Sequence, residues 1–144
     1  MRLRGAVPDD APALARILGD WVRETGWMPV LHSREEDLGF VATLIEGIEV
    51  TVAGDGVPLG FLARDGEEVR AIYLAPEARG RGLGRALLDH AKGRSPRLGL
   101  WVFQANARAI AFYLREGFRV ERRTDGLRNE EGLPDIRMVW EATS

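Results

Sequence analysis

The chain contains no cysteine. This excludes disulfides, thiolate metal sites and a cysteine nucleophile, and it agrees with a cytoplasmic protein. Histidine is nearly as scarce. His32 and His90 are the only two and lie far apart, so no metal site is expected. No apolar run approaches the ~18 residues of a membrane-spanning helix. Met1-Arg2-Leu3-Arg4-Gly5 leads into Pro8-Asp9-Asp10 without the apolar core of a signal peptide. Neither a leader nor a membrane partner is expected. An excess of one charge is missing too: 20 Lys and Arg face 22 Asp and Glu, for a formal net charge of −2. A broad nucleic-acid footprint is therefore not expected. What remains is 45% hydrophobic and 29% charged residues in a chain of 144, which is the composition of one globular domain, read as spanning 1–144.

Periodicity divides the chain into short elements. Residues 2–6 read as a first strand. Asp9 or Asp10 can cap a helix whose apolar face is Ala11, Leu14, Ala15, Leu18 and Trp21. Residues 22–33 have no period and contain Gly26 and Pro29, so they read as a loop. Ser33 followed by Glu36 is a capping box, opening a helix over about 34–46 with Leu38, Val41, Ala42 and Ile45 on one side. The period then changes. Ile48, Val50 and Val52 alternate in one strand, Val57 to Ala63 form a second, and Glu67 to Leu74 form a third beyond an Asp65-Gly66 hairpin turn. A helix over 83–93, a strand over 98–103, a helix over 106–116 stopped by Gly117, and strands over 118–122 and 136–141 complete the order β-α-α-β-β-β-α-β-α-β-β. Hairpins come before the glycines and a βαβ unit follows them, so the class is α/β with a mixed sheet. Trp21, Trp101 and Trp140 fall in regular elements and are expected in the core.

The most informative stretch is Arg79-Gly80-Arg81-Gly82-Leu83-Gly84. It follows the strand-like run Val69 to Leu74 and precedes a helical pattern of Leu83, Ala86, Leu87, His90 and Ala91. A strand, a glycine turn and a helix N-terminus form an anion site, because the first helical N–H groups lack internal partners and the dipole favours negative charge. Arg79, Arg81 and Arg85 add cations. No Gly-Lys-Ser or Gly-Lys-Thr occurs, which excludes an ordinary P-loop. The dinucleotide fingerprint fails as well, since its third glycine would fall on Arg85 or Leu87. What fits is Arg-x-x-Gly-x-Gly at Arg79, Gly82 and Gly84; the plain alternative is a surface turn before an ordinary helix.

A second motif lies downstream. A strand ends near Phe103, Asn106 opens a helix, and Tyr113 follows seven residues later on the same helix face. Gly117-Phe118 ends that helix. Alone, Asn106 reads as an N-cap and Tyr113 as a packing residue beside Phe112. Taken together and in this order, Val69–Ala91 and Trp101–Phe118 make the chain resemble the GNAT superfamily of acyl-CoA-dependent N-acyltransferases.

The resemblance implies a central mixed sheet flanked by helices on both faces, and acetyl-CoA as co-substrate with no metal. It implies that the backbone N–H groups of Gly80, Arg81, Gly82, Leu83, Gly84 and Arg85 hold the pyrophosphate beside Arg79. The pantetheine arm would lie where the parallel strands 67–74 and 98–103 splay, with Ile72, Tyr73 or Leu74 donating an N–H to the thioester carbonyl. Asn106 would contact that arm, and Tyr113 would be the general acid for the leaving thiolate. Glu68 is the candidate base, on the face of Arg70, Ile72 and Leu74; Glu67, Glu130 and Glu131 are further candidates that also read as solvent-exposed, and water could relay the proton instead. The acceptor side falls to Thr25–Ser33, with Trp27, Met28 and His32, and to Asp125–Asp135. His32 reads as structural or exposed. The implied activity is transfer of an acetyl group to a primary amine by direct attack in a ternary complex; the acceptor could be a small molecule, an amino acid, an antibiotic or a protein N-terminus, and the compact chain, with little room for a large peptide-binding surface, favours a small molecule. Family members are often homodimers. The rival readings are a non-catalytic acyl-CoA-binding regulatory domain and an α/β domain for some other phosphate ligand.

Overall fold

The computed structural model of the chain describes residues 2–143. Seven strands form one sheet in the order β1-β2-β3-β4-β5-β7-β6. These are β1 (Leu3–Gly5), β2 (Glu49–Ala53), β3 (Gly60–Asp65), β4 (Glu68–Leu74), β5 (Arg97–Phe103), β6 (Arg119–Thr124) and β7 (Asp135–Glu141). Four α-helices accompany them: α1 (Ala11–Glu24), α2 (Arg34–Gly47), α3 (Leu83–Lys92) and α4 (Ala107–Arg115). β4 and β5 pair in parallel and every other pairing is antiparallel, so the sheet is mixed as the element order implies.

Two apolar clusters sandwich the sheet. Leu14, Leu18, Val41 and Leu44 of α1 and α2 meet Val50, Val52, Phe61 and Ala71 on one face. Leu83, Leu87 and Leu88 of α3, with Tyr113 of α4, meet Leu98, Leu100, Val102, Ile136 and Met138 on the other. α1 and α2 cover the β1–β4 half of their face, and the β5–β7–β6 end of that face carries no helix from this cluster.

Local signals explain most boundaries. The Ser33–Glu36 capping box is closed in both directions, at 3.1 and 2.9 Å. Three expectations need correction. Neither Asp9 nor Asp10 caps α1. The Asp10 carboxylate turns back to the Val7 N–H at 2.8 Å and to the Arg4 guanidinium at 2.7 and 2.8 Å, closing a single 3-10 turn. Leu38 is exposed and Leu44 takes its place in the core, because α2 turns a face one step removed toward the sheet. The strand expected over 57–63 begins only at Gly60, since Val57 projects from the preceding turn.

The fourth difference matters for function. Along the β3–β4 pair, Ala63 opposes Ala71 but Arg64 opposes Val69, so Arg70 is an extra residue in a β-bulge. Side chains normally alternate along a strand. The bulge resets that alternation. Glu68 therefore falls on the face of Ala71 and Tyr73, and Val69 shares the opposite face with Ile72 and Leu74. The grouping of Glu68 with Ile72 and Leu74, expected from an unbroken strand, is incorrect.

Candidate active site

β4 and β5 touch at one ladder position only, Glu68 opposite Gly99, with the Gly99 N–H donating to the Glu67 carbonyl at 2.8 Å. Beyond that point they diverge, and a cleft of about 580 Å³ fills the wedge. The Ala75 N–H donates to Leu59 at 2.8 Å, and antiparallel bonding alternates along a strand. The backbone groups of Tyr73 and Ala71 therefore serve β3, and those of Ile72 and Leu74 point into the wedge. Of the three residues expected to offer an N–H, the alternation selects Ile72 and Leu74. Tyr73 contributes its side chain instead, packed on Trp21 and Phe61 with ring centroids 5.5 and 5.9 Å apart.

The glycine turn closes one end of the wedge. Gly80 and Gly82 sit at φ of 76° and 80°, a left-handed conformation that costs an L-residue about 1–2 kcal/mol. Open space surrounds the Cβ position of each, so the backbone angle and not crowding demands glycine there. Gly82 is the residue before α3, and the Leu83, Gly84 and Arg85 N–H groups are the orphan donors of its first turn. Gly84 packs closely: a Cβ would lie 3.2 Å from the Phe112 ring, which would have to yield by a few tenths of an ångström. Of the cations, Arg79 lines the cleft and pairs with Glu24 of α1 at 2.6 Å, while Arg85 lines it and is largely exposed. Arg81 does not line it; its guanidinium reaches the Glu77 carbonyl at 3.5 Å. The sequence reading missed Arg108 and Arg115 of α4, which line the same cleft and stand seven residues apart, as Asn106 and Tyr113 do. Four guanidinium groups around open helix-end donors suit a polyanion.

α4 supplies the opposite wall. The Asn106 side chain caps the helix by accepting from the Ala109 N–H at 3.2 Å, and it also lines the cleft. Tyr113 is 7% exposed and packs between Phe112 and Phe118. Its hydroxyl makes no hydrogen bond among the described residues. Arg64 Nε is the one sealed side-chain polar atom left without a partner there, so the Tyr113 oxygen must open onto the cleft. Burial pushes this phenol well above its ordinary value, with Tyr73 adding to the effect. It stays protonated throughout the working range and can donate.

Glu68 is not brought to this cleft. Its carboxylate accepts from Arg137 Nη1 at 2.7 Å, and that bond holds the guanidinium above its usual value. Arg137 lies flat across Gly99, where a Cβ would meet its Nη2 at 2.2 Å. The same guanidinium and that of Arg122 lie 5.7 and 5.6 Å from the Trp101 ring centroid. Trp101 is 45% exposed and not a core residue, since it shares the helix-free face with Gly99 and Phe103; Trp21 and Trp140 are only half-buried.

On that face lies a second hollow of about 710 Å³, joined to the cleft through Trp101, Val102 and Phe103. The loop between α1 and α2 reaches it through Trp27, whose ring lies 5.8 Å from Phe103. The loop between β6 and β7 encloses it with Asp125, Leu127, Arg128, Asn129 and Glu131. His32 Nε2 and Glu130 Oε1, 2.7 Å apart, clasp the two loops together. Glu130 first, then Glu36 and Asp37, hold His32 above its model-peptide value of 6.5. The clasp is therefore fully charged below pH 6.5 and weakens as pH rises through the elevated His32 value. An NMR titration of His32 is expected to give a midpoint above 6.5, and Glu130→Gln should return it toward 6.5; an unmoved midpoint would show that the loops are not clasped. No group of three His, Asp or Glu among the described residues could hold a metal, and no helix there is long and apolar enough to cross a membrane.

Comparison with known proteins places this geometry among relatives. The family description "Acetyltransferase (GNAT) domain" matches residues 30–120. The peptidyl-lysine N-acetyltransferase YjaB of Salmonella typhimurium is 36% identical over 76 residues, which cover 53% of this chain and 52% of that protein. The match thus spans about half the length of this curated relative. The solution structure of apo YjaB from Escherichia coli superposes with a TM-score of 0.80 at 25% identity, covering 99% of this chain and 98% of that one. A phosphinothricin acetyltransferase from Sinorhizobium meliloti in complex with acetyl-CoA superposes with a TM-score of 0.76 at 25% identity, covering 98% and 88%.

Proposed function

The chain belongs to the GNAT acetyltransferase family, and we propose on that premise that it moves the acetyl group of acetyl-CoA to a primary amine. The observation that carries this is the wedge between β4 and β5, with the N–H groups of Ile72 and Leu74 turned away from β3, the Leu74 carbonyl accepting from Arg79 at 3.4 Å, and the glycine turn at one end. An extended amide chain can pair with Ile72 and Leu74 as a further strand would. The N–H groups from Gly80 to Arg85 and the guanidiniums of Arg79, Arg85, Arg108 and Arg115 suit a pyrophosphate and its neighbouring phosphate. Acetyl-CoA supplies the activated acyl group as a thioester. Ile72 or Leu74 offers a fixed N–H for the oxygen that gains charge during attack. Tyr113 donates a proton to the departing sulfur, and Asn106 both caps α4 and faces the donor. Glu68 is given no role in this reading, since its carboxylate accepts from Arg137 at 2.7 Å and lines a neighbouring hollow rather than the cleft.

The acceptor enters from the helix-free face through the hollow beside Trp101. The chain's compactness suggested a small-molecule amine. The curated name of the Salmonella typhimurium relative favours a lysine side chain carried on a protein. Both present an alkylammonium group. Calorimetric titration with acetyl-CoA, followed by thiol release over a panel of small amines and lysine peptides, tests the proposal. Saturable binding with turnover is expected; no binding at millimolar acetyl-CoA would refute it, and binding without turnover on any amine would make the chain a non-catalytic acyl-CoA-binding domain. Gly82→Val probes the pyrophosphate cradle. The left-handed angle costs a β-branched residue at least about 1–2 kcal/mol, so affinity for acetyl-CoA should fall about 5–30-fold. Unchanged affinity would remove the turn from the site.

A further inference from the structure

Two adjacent carboxylates sit in the β6–β7 loop, and the structure separates them. Glu130 is exposed and taken by His32. Glu131 is half-buried, lines the hollow beside Trp101 and Phe103, and makes no hydrogen bond or ion pair with any described residue. Burial first, and then the charges of Glu131 and Asp37, push the Tyr73 hydroxyl up to about 12. Tyr73 lies between Ile72 and Leu74 on β4. The hollow that Glu131 lines shares Trp101, Val102 and Phe103 with the wedge, so the carboxylate stands on the side from which an acceptor would reach the acyl group. The cations that line the same hollow are Arg122, which lies over the Trp101 ring, and Arg128, and neither is paired with Glu131, so the carboxylate is open to a cationic ligand. The neighbouring carboxylates are committed: Asp135 to Thr124 and Asn129, Asp125 to the Leu127 N–H, and Glu68 to Arg137.

Resting on the acetyltransferase reading above, we propose that Glu131 is the residue that receives the acceptor as an alkylammonium ion and takes its proton. The aromatic surface of Trp101, Phe103 and Trp27 fits the aliphatic stem of such an acceptor, a lysine side chain above all. The ammonium passes one proton to the Glu131 carboxylate. The freed lone pair forms the N–C bond to the acetyl carbon. The C–S bond breaks with its electron pair on sulfur, which takes the Tyr113 phenol proton. The second proton lost by nitrogen returns to Tyr113 through water, and Glu131 releases its proton to solvent. The sum is one amide, one thiol and one proton from an ammonium and a thioester.

The test is Glu131→Gln, which keeps size and removes charge, assayed with an N-blocked lysine peptide from pH 6.5 to 9.5. Acetyl-CoA affinity should match wild type within about twofold, which reports that the fold and the donor site are intact. At pH 7 kcat/KM for the peptide should fall at least about 10²-fold, the lower end of the range for loss of a positioned base. The variant must capture the free amine, whose fraction rises tenfold per pH unit below a lysine pKa of about 10.4. Its deficit should therefore shrink as pH rises. A peptide hydrazide, already neutral at pH 7, should lose less than about threefold, because no proton need be removed before attack. A deficit that is constant with pH, or equal for both acceptors, would reduce Glu131 to a structural residue and overturn the proposal. So would wild-type turnover confined to neutral amines. Wild type that binds no acetyl-CoA would instead overturn the family activity, and this assignment with it.

Discussion

Tyr113→Phe is expected to lower kcat by about 10²-fold or more while leaving acetyl-CoA affinity within about threefold of wild type. Only the hydroxyl is removed. The ring keeps its place between Phe112 and Phe118, so neither a cavity nor a shifted helix can account for the loss. The oxygen has no hydrogen-bond partner among the described residues, so its removal strands no donor or acceptor inside the protein. The thermal midpoint should stay level or rise. This combination separates an acid from a packing residue. A buried tyrosine with a purely structural role would leave kcat within about threefold when replaced by phenylalanine. The elevated phenol pKa adds a second check. Ionisation of Tyr113 in the folded state is displaced above its ordinary 10, so no alkaline fall in rate should arise from it below that pH.

The two halves of the wedge were unequally legible in the sequence. The glycine turn and the start of α4 are written in local chemistry. Gly80 and Gly82 need a left-handed backbone, Gly84 sits close against the Phe112 ring where a small residue fits best, and Asn106 offers an acceptor side chain at a helix start; each demand restricts residue type at its own position. The bulge at Arg70 leaves no such mark. It arises from the pairing of β4 with β3, and nothing in Glu-Val-Arg-Ala-Ile-Tyr-Leu announces an extra residue. Missing it puts Glu68 on the wrong face and turns a salt-bridged residue into a candidate base. Trp101 fails for a related reason. Alternation with Leu98, Leu100 and Val102 does show that it points the other way, but that this end of the face lacks a helix is a property of the whole topology. The exposed ring is then stabilised by Arg122 and Arg137, which reach it from β6 and β7.

The acceptor side depends on long-range contacts, and here the sequence shows only two irregular loops. Their order in space rests on pairs that join distant residues: Trp27 with Phe103, His32 with Glu130, and Gln104, which donates to the Thr124 and Asp135 carbonyls at 3.1 and 3.2 Å. On the proposed reading, donor and acceptor would meet from opposite sides of one sheet, the donor along the α3–α4 side and the acceptor through the hollow where the α1–α2 layer stops short of β5. The arrangement leaves the two binding events separable by mutation, which the last expected result exploits.

Gly126→Ala should raise KM for the amine acceptor at least about tenfold while leaving acetyl-CoA affinity within about twofold of wild type. Gly126 has a φ of 83°, and a Cβ there would stand 2.2 Å from the Leu133 carbonyl carbon and oxygen and 2.8 Å from Pro134 N. These are backbone atoms and cannot rotate aside. The left-handed angle alone costs about 1–2 kcal/mol, or about 5–30-fold in an equilibrium, and relieving the overlap must spread the two ends of the loop. That breaks the frame in which Asn129 donates to the Leu133 carbonyl at 2.7 Å and accepts from its N–H at 3.2 Å, and it displaces Glu131, which lies within that frame. Hydrogen exchange should quicken in residues 125–134 and stay unchanged in α3. Gly132→Ala is the matched control. Its φ is 68°, yet no atom lies within 4 Å of the added carbon, so it carries the angular strain without the overlap and should shift KM less. Equal effects from the two would assign the loss to backbone angle alone. An unchanged KM in Gly126→Ala would move the acceptor away from the β6–β7 loop altogether.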